Sequence, residues 1–269
     1  MVELTNRLKT MALEIYSGET MADIGTDHGF LPIFLKQCGM CPKVILTDLS
    51  EGSLQKARDN AAAAAPDLEF DFRLGSGLEV IGEEEVDDIV IAGMGSELMI
   101  DMFEKDLHKT KTFKKFILQP RSKTGVLRHW LDSNGFAIAQ ESLVEEGPRI
   151  CVIITAVPLV YEGEDKEGAE RTASSYGEIT AVPEEITEGF SEPVRLKEEP
   201  ADSVKWDMPY WTQDSEDELT EEYIRRKLAQ ENTRLAGLSQ GRVVDAAEFE
   251  KVRNGIRYLK ELLDPFYDD

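Results

Sequence analysis

Apolar residues recur along this chain in two registers. Leu4, Leu8, Met11 and Ile15 fall three and four apart, the spacing of one helix face. Seven short apolar or alternating runs follow, at 20–24, 43–46, 69–73, 88–92, 113–118, 137–143 and 150–156, each of strand length. Helix-like segments separate the earlier runs: one opens at the glycine turn of residues 21–32, others cover 52–65, with its Ala-rich end, and 96–103. A further helix is expected over 125–133, stopped by Asn134-Gly135. Alternation of strand and helix predicts an α/β fold with a mostly parallel, doubly wound sheet of seven strands. The last two runs are joined only by residues 144–149, with Gly147-Pro148, so they should form an antiparallel hairpin at the sheet edge.

The pattern changes after residue 159. Between 160 and 200 acids outnumber bases by twelve to four, and periodicity disappears. This predicts a linker or insertion over 160–204 that lets the following segment move relative to a domain at 1–159. Over 205–269 a helical hairpin is expected. Ser215 and Glu218 form a capping box, and Ile224, Leu228, Leu235 and Leu238 fall on one stripe. Asp245 and Glu248 open the second arm, where Phe249, Val252, Ile256, Leu259 and Leu263 repeat at three and four. Two such arms should pair as an intramolecular antiparallel coiled coil, leaving a monomer.

With 269 residues, 41% of them hydrophobic, the chain can build a substantial core, and no apolar run approaches a membrane span. A cytoplasmic protein is the expectation. Cys38, Cys41 and Cys151 cannot pair evenly, and Cys38-x-x-Cys41 lacks a second ligand pair, so turn and core roles are expected and no metal. The net charge of −23 argues against indiscriminate nucleic-acid binding. Against it stands a run of cations at Lys105, Lys109, Lys111, Lys114, Lys115, Arg121, Lys123 and Arg128, with Asp106 its one acid.

The candidate chemistry begins at Asp23-x-Gly25-x-Asp27-His28-Gly29, on the turn between the first strand and a helix. Glycines there permit positive φ and close approach of a ligand to the backbone. Carboxylates in the same turn repel a pyrophosphate and suit S-adenosylmethionine, which carries an ammonium and a sulfonium. Asp48 ends the second strand about twenty residues on, where an acid hydrogen-bonds ribose hydroxyls, with Leu49 beside it. Gly75-Ser76-Gly77 should flank the adenine. Ala92-Gly93-Met94-Gly95 closes the fourth strand with small residues, and Gln119 closes the fifth, where its amide could meet a target base. Asp27 is the acid nearest the site rim, and His28 could act as a base or shape the turn.

DIGTDHGFLP at 23–32, IAGMG at 91–95, ILQP at 117–120 and LRHWL at 127–131, followed by a C-terminal helical hairpin, resemble the bacterial tRNA (adenine(22)-N1)-methyltransferase family. The resemblance covers residues 1–157 and, more loosely, 205–264. It implies a Rossmann-like class I methyltransferase sheet, S-adenosylmethionine as methyl donor, tRNA as partner, and a hairpin that helps grip the tRNA. It implies an adenine in the D-loop region as target. Adenine N1 already carries a lone pair, so direct transfer is expected, with the residue pattern placing Asp27, His28 and Gln119 on the target side. Three positions depart from the family: Ser76 for Asp, Ser96 for Gly and Arg121 for Asn. A methyltransferase for another substrate, and a non-catalytic RNA-binding protein on the same fold, are the rival readings.

Overall fold

A computed structural model describes residues 1–159, 199–215, 217–240 and 245–267. Helix α1 (Asn6–Leu13) is capped by Thr5, whose hydroxyl accepts from the Leu8 amide. The sheet strands are β1 (Met21–Ile24), β2 (Val44–Asp48), β3 (Asp71–Leu74), β4 (Asp88–Met94), β5 (Lys115–Pro120), β6 (Phe136–Glu146) and β7 (Arg149–Pro158). Between them run α2 (Phe30–Gln37), α3 (Glu51–Ala64), α4 (Ser96–Glu104), α5 (Leu107–Thr110) and α6 (Thr124–Ser133). The hairpin helices are α7 (Glu218–Gln240) and α8 (Ala246–Glu261).

All seven expected runs are strands, and they lie in the order β3-β2-β1-β4-β5-β7-β6. Neighbours from β3 to β5 pair in parallel, and β7 is antiparallel to both β5 and β6. The order reverses at β1, which sits between β2 and β4. A crevice therefore opens at the carboxyl ends of these strands, the place where open α/β sheets bind ligands.

One face of the sheet packs on α1 and α2 through Met11, Ile15, Leu31, Leu35 and Leu46. The other face carries aromatics: Phe103 meets Phe116 edge-on at 5.2 Å, and Phe116 meets Phe136 at 5.8 Å. That cluster continues into Met208, Tyr223, Ile224, Leu259, Leu262 and Leu263, so the base of the hairpin belongs to the same core as the sheet.

This overturns the expectation of a hairpin that moves on a linker. Residues 199–204, expected to be linker, run into a 3-10 turn at Val204–Asp207 that seats against α6, with Trp206 buried. Arg128 of α6 is buried and pairs with Glu141 of β6 at 2.6 Å. Its guanidinium also donates to the Trp206 carbonyl, Glu141 accepts from the Tyr210 amide, and Asp207 accepts from the Gly125 amide at 2.8 Å. Two buried charges placed this way tie the segment before α7 to the sheet. Residues 160–198, the rest of the expected linker, lie outside the described residues. Helices α7 and α8 pack together as expected, with Ile224, Val252, Ile256 and Leu259 buried between them and the body. Asp245 caps α8, but α7 is capped by Asp217, which accepts from the Thr220 amide at 3.0 Å, and not by Ser215.

The run of cations is not one surface. Strand β5 separates its two halves by about 17 Å, at roughly 3.3 Å per residue. Lys114 and Lys115 lie at the amino end, away from the crevice, where Lys114 pairs with Asp87 at 2.7 Å. Lys115 is buried, 2.8 Å from Glu19 and 3.6 Å from Asp88, beneath the Tyr16 ring. Lys105 pairs with Glu79, and Arg128 is the internal residue just described. Only Arg121 and Lys123 of this run stand at the carboxyl end of β5.

Candidate cofactor and substrate site

The turn after β1 is built by backbone constraint. Gly25 (φ 74°) has Met94 so close that an added Cβ would stand 2.1 Å from the methionine methyl. Gly29 (φ 68°) begins α2, and a Cβ there would strike Leu46 at 2.8 Å and Ala57 at 3.1 Å. Asp27 between them also takes positive φ, 48°, which an aspartate tolerates better than most residues. Opposite, β4 bulges at Ala92–Met94 with Gly93 at φ 73°.

These turns enclose a cavity of about 520 Å³. Asp23, Gly25, Asp27, His28, Asp48, Leu49, Gly75, Ser76, Gly77, Ala92, Gly93 and Met94 all line it. Gly29 and Gly95 stand behind the wall as the N-caps of α2 and α4. Leu98, Met102 and Phe30 add an apolar rim.

Asp23 is 8% exposed, and its carboxylate accepts from the Thr26 hydroxyl at 2.6 Å. Burial pushes its pKa up to about 6, although Thr26 and Arg7 pull the other way. Asp48 accepts from two amides, Ser50 at 2.8 Å and Asp27 at 3.3 Å. The helix-capping task there falls to Ser50, whose hydroxyl accepts from the Ser53 amide. Each carboxylate oxygen of Asp48 keeps a second lone pair.

Of the three expected target-side residues, Asp27 and His28 meet on the cavity rim and Gln119 stands apart. Asp27 is half exposed on the rim, 3.1 Å from Lys56 and 3.5 Å from His28. His28 stacks on Phe30, with ring centroids 5.3 Å apart and planes 7° from parallel. Gln119 is buried and does not line the cavity. Its Oε1 accepts from the Gly93 amide at 3.2 Å and from Arg7 Nη1 at 3.3 Å, so its reach is inward.

Sequence reasoning missed Arg7. It lines the cavity from α1, and its Nε pairs with Glu146 at 2.6 Å. Among the described residues it is the one Lys or Arg on a wall that also bears Asp23, Asp27 and Asp48. No pattern on α1 marked it, since an arginine on the polar side of an amphipathic helix looks like any solvated charge.

The donor set suits an adenosyl amino acid. Asp48 can accept two ribose hydroxyls, Asp23 can meet an ammonium, Arg7 a carboxylate, and Leu49 and Met102 the flat faces of a base. The positive-φ glycines let the ligand lie against backbone. The amino end of α2 is not cleared for a pyrophosphate, because Asp27 stands before it. Among the described residues no group could hold a metal ion.

A doubly wound sheet of this strand order, with an acidic cavity at the switch point, is a methyltransferase architecture. Residues 4–154 match the methyltransferase domain family. The tRNA (adenine(22)-N(1))-methyltransferase of Bacillus subtilis is 32% identical over 168 residues, 62% of this chain and 68% of that protein. The crystal structure of the B. subtilis M1A22 tRNA methyltransferase TrmK superposes with a TM-score of 0.74 at 23% identity, covering 98% of this chain and 100% of that one. M. capricolum TrmK in complex with S-adenosyl-homocysteine gives a TM-score of 0.68 at 19% identity, covering 97% of this chain and 98% of that one. The chain belongs to the methyltransferase domain family and, within it, to the tRNA (adenine(22)-N1)-methyltransferases.

Proposed function

We propose that this chain methylates N1 of adenine in tRNA, at position 22, using S-adenosylmethionine. The observation that carries the reading is the cavity wall itself: three aspartates and one arginine, on turns cleared by glycine, at the switch point of the sheet. Family membership names the acceptor.

When bound, S-adenosylmethionine supplies a methyl carbon made electrophilic by the adjoining sulfonium. The protein's part is binding and orientation. Asp48 holds the ribose, Ser76 and Gly77 edge the adenine with Leu49 against its face, and Asp23 and Arg7 take the two charged groups of the amino-acid end. Gln119 is a positioning residue, because its one oxygen fixes both Arg7 and the Gly93 amide.

Neutral adenine N1 already has a lone pair, so no covalent enzyme intermediate is needed. Catalysis then reduces to extracting the base from its stack, at a cost of a few kcal/mol, and to removing water and aligning it, which can supply about 7–11 kcal/mol. Methylation leaves the base cationic. Asp27 on the rim, with His28 stacked on Phe30 beside it, is the carboxylate best placed to face that charge.

We read the polar face of the hairpin as a second tRNA contact beside the crevice. Arg225 and Arg226 of α7 are engaged by Glu221 and Glu222, exposed pairs worth little that a phosphate can replace. Arg234 is held by Glu248, and Arg242 lies outside the described residues.

The test is to incubate an unmodified tRNA transcript with the protein and S-adenosylmethionine, digest it, and identify nucleosides by mass. The reading expects 1-methyladenosine. A protein that binds the donor but leaves tRNA unmethylated would be the non-catalytic rival.

A further inference from the structure

The loop after β5, Arg121-Ser122-Lys123, has no part in the cofactor cavity, yet it is anchored to the cavity's wall. The Arg121 amide donates to the Met94 carbonyl at 2.7 Å. Ser96, at the start of α4, is fully buried and donates through its hydroxyl to the Ser122 carbonyl at 2.8 Å. Lys123 takes left-handed backbone, φ 55° and ψ 42°, a conformation unfavourable for lysine that the two flanking anchors impose.

The loop thus has a fixed shape and presents cations. The Arg121 side chain lies along Gly93, its Cδ 4.0 Å from where a Cβ would stand, so it borders the bulge that forms the cavity wall. It is exposed, and among the described residues it has no hydrogen bond or ion pair. Lys123 pairs with Glu97 at 2.5 Å, but both side chains are more than half exposed, at 55% and 66%. Such a pair is worth ~0–1 kcal/mol and exchanges readily for a phosphate.

The setting gives these cations weight. The chain carries a net charge of −23, so its long-range field repels RNA. Lys105, Lys114, Lys115 and Arg128 of the same stretch are committed to carboxylates. A polyanion entering the crevice meets Arg121 as an uncommitted guanidinium beside the β4 bulge, with Lys123 next to it.

We propose that Arg121, assisted by Lys123, grips the RNA backbone phosphate adjoining the nucleotide inserted in the cavity. This rests on the RNA-methylating reading above. A guanidinium binds a phosphate through two parallel N–H donors, which fixes orientation as well as proximity. Arg121 is then a positioning residue for the acceptor and has no contact with the methyl donor.

The experiment measures tRNA methylation against tRNA concentration and salt, with donor affinity by calorimetry, for the parent, Arg121→Ala, Arg121→Lys and the double variant Arg121→Ala/Lys123→Asn. For Arg121→Ala we expect KM for tRNA to rise about tenfold and donor Kd to stay unchanged. The slope of log affinity against log salt should shrink by about 0.7–0.9, the value for one phosphate. Arg121→Lys should recover most of the salt slope, and the double variant should lose about twice as much slope. Parental KM and slope in Arg121→Ala overturn the proposal, and so does a donor Kd that rises in step with KM. A parent that does not methylate tRNA overturns the functional reading instead.

Discussion

Arg7 and Gln119, 112 residues apart in the chain, meet at 3.3 Å behind the cofactor cavity. The same Gln119 oxygen receives the Gly93 amide at 3.2 Å, so one buried atom links helix α1 to the bulge of β4. The cation that offsets three cavity aspartates is therefore held from two sides, by Gln119 and by Glu146 at 2.6 Å.

Arg7→Ala should weaken S-adenosylmethionine binding by about 1.5–3 kcal/mol, the range for a hydrogen bond to a charged group. Gln119→Ala should cost less, because Arg7 keeps Glu146. Calorimetric titration of both variants checks the order. Equal affinity in parent and Arg7→Ala removes Arg7 from the site.

Asp23 makes two opposite pH dependences. Its pKa is raised from 3.8 to about 6 by burial, so between these values the folded chain holds a proton that the unfolded chain has released. Its contribution to stability is thus full below pH 4, falls as pH rises, and is lost above pH 6. The full change is on the order of 3 kcal/mol. Donor binding should run the other way, weakening as pH drops below 6, because an ammonium prefers the ionised carboxylate. Asp23→Asn should flatten both curves, measured by denaturant unfolding and calorimetry from about pH 4 to 7.5, with donor affinity low throughout.

The strands were legible because each is a bounded apolar run, and the glycine turn because positive φ and close approach leave few residue choices. Other parts depend on contacts that no local pattern records. Arg7 acquires its role only when α1 folds over β4 and β5. Lys114 and Arg121 read as one stripe because they are close in sequence, but a strand lies between them and sends them to opposite ends of the sheet. Residues 199–204 read as linker because they are polar and aperiodic, although Trp206 and Asp207 just beyond them dock the segment onto α6.

That docking predicts a loss on truncation. A chain ending at residue 159 would strip Trp206 from His129, whose rings meet at 5.2 Å, and leave Arg128 without the Trp206 carbonyl. It should unfold at lower denaturant and show exposed apolar surface by dye binding. In the full chain Glu141→Ala should destabilise by about 3–5 kcal/mol, as expected when one member of a buried pair is removed. A truncated chain as stable as the parent would separate the hairpin from the core.

Lys115 should behave as a structural residue. Lys115→Met leaves Asp88, fully buried, and Glu19 facing each other without a cation, and should cost about 3–5 kcal/mol. Its tRNA affinity at a temperature where it remains folded should match the parent. A selective loss of tRNA binding would return Lys115 to the RNA surface.

The most direct test maps the product. A tRNA transcript is incubated with the full chain and S-adenosylmethionine, and reverse transcription is scanned for the stop that a methyl group on the pairing edge causes. The account expects one strong stop at adenine 22, lost when that adenine is replaced by guanine and lost in Asp48→Ala. Methyl incorporation that persists in the substituted transcript, or a product methylated on the exocyclic amine, would contradict it.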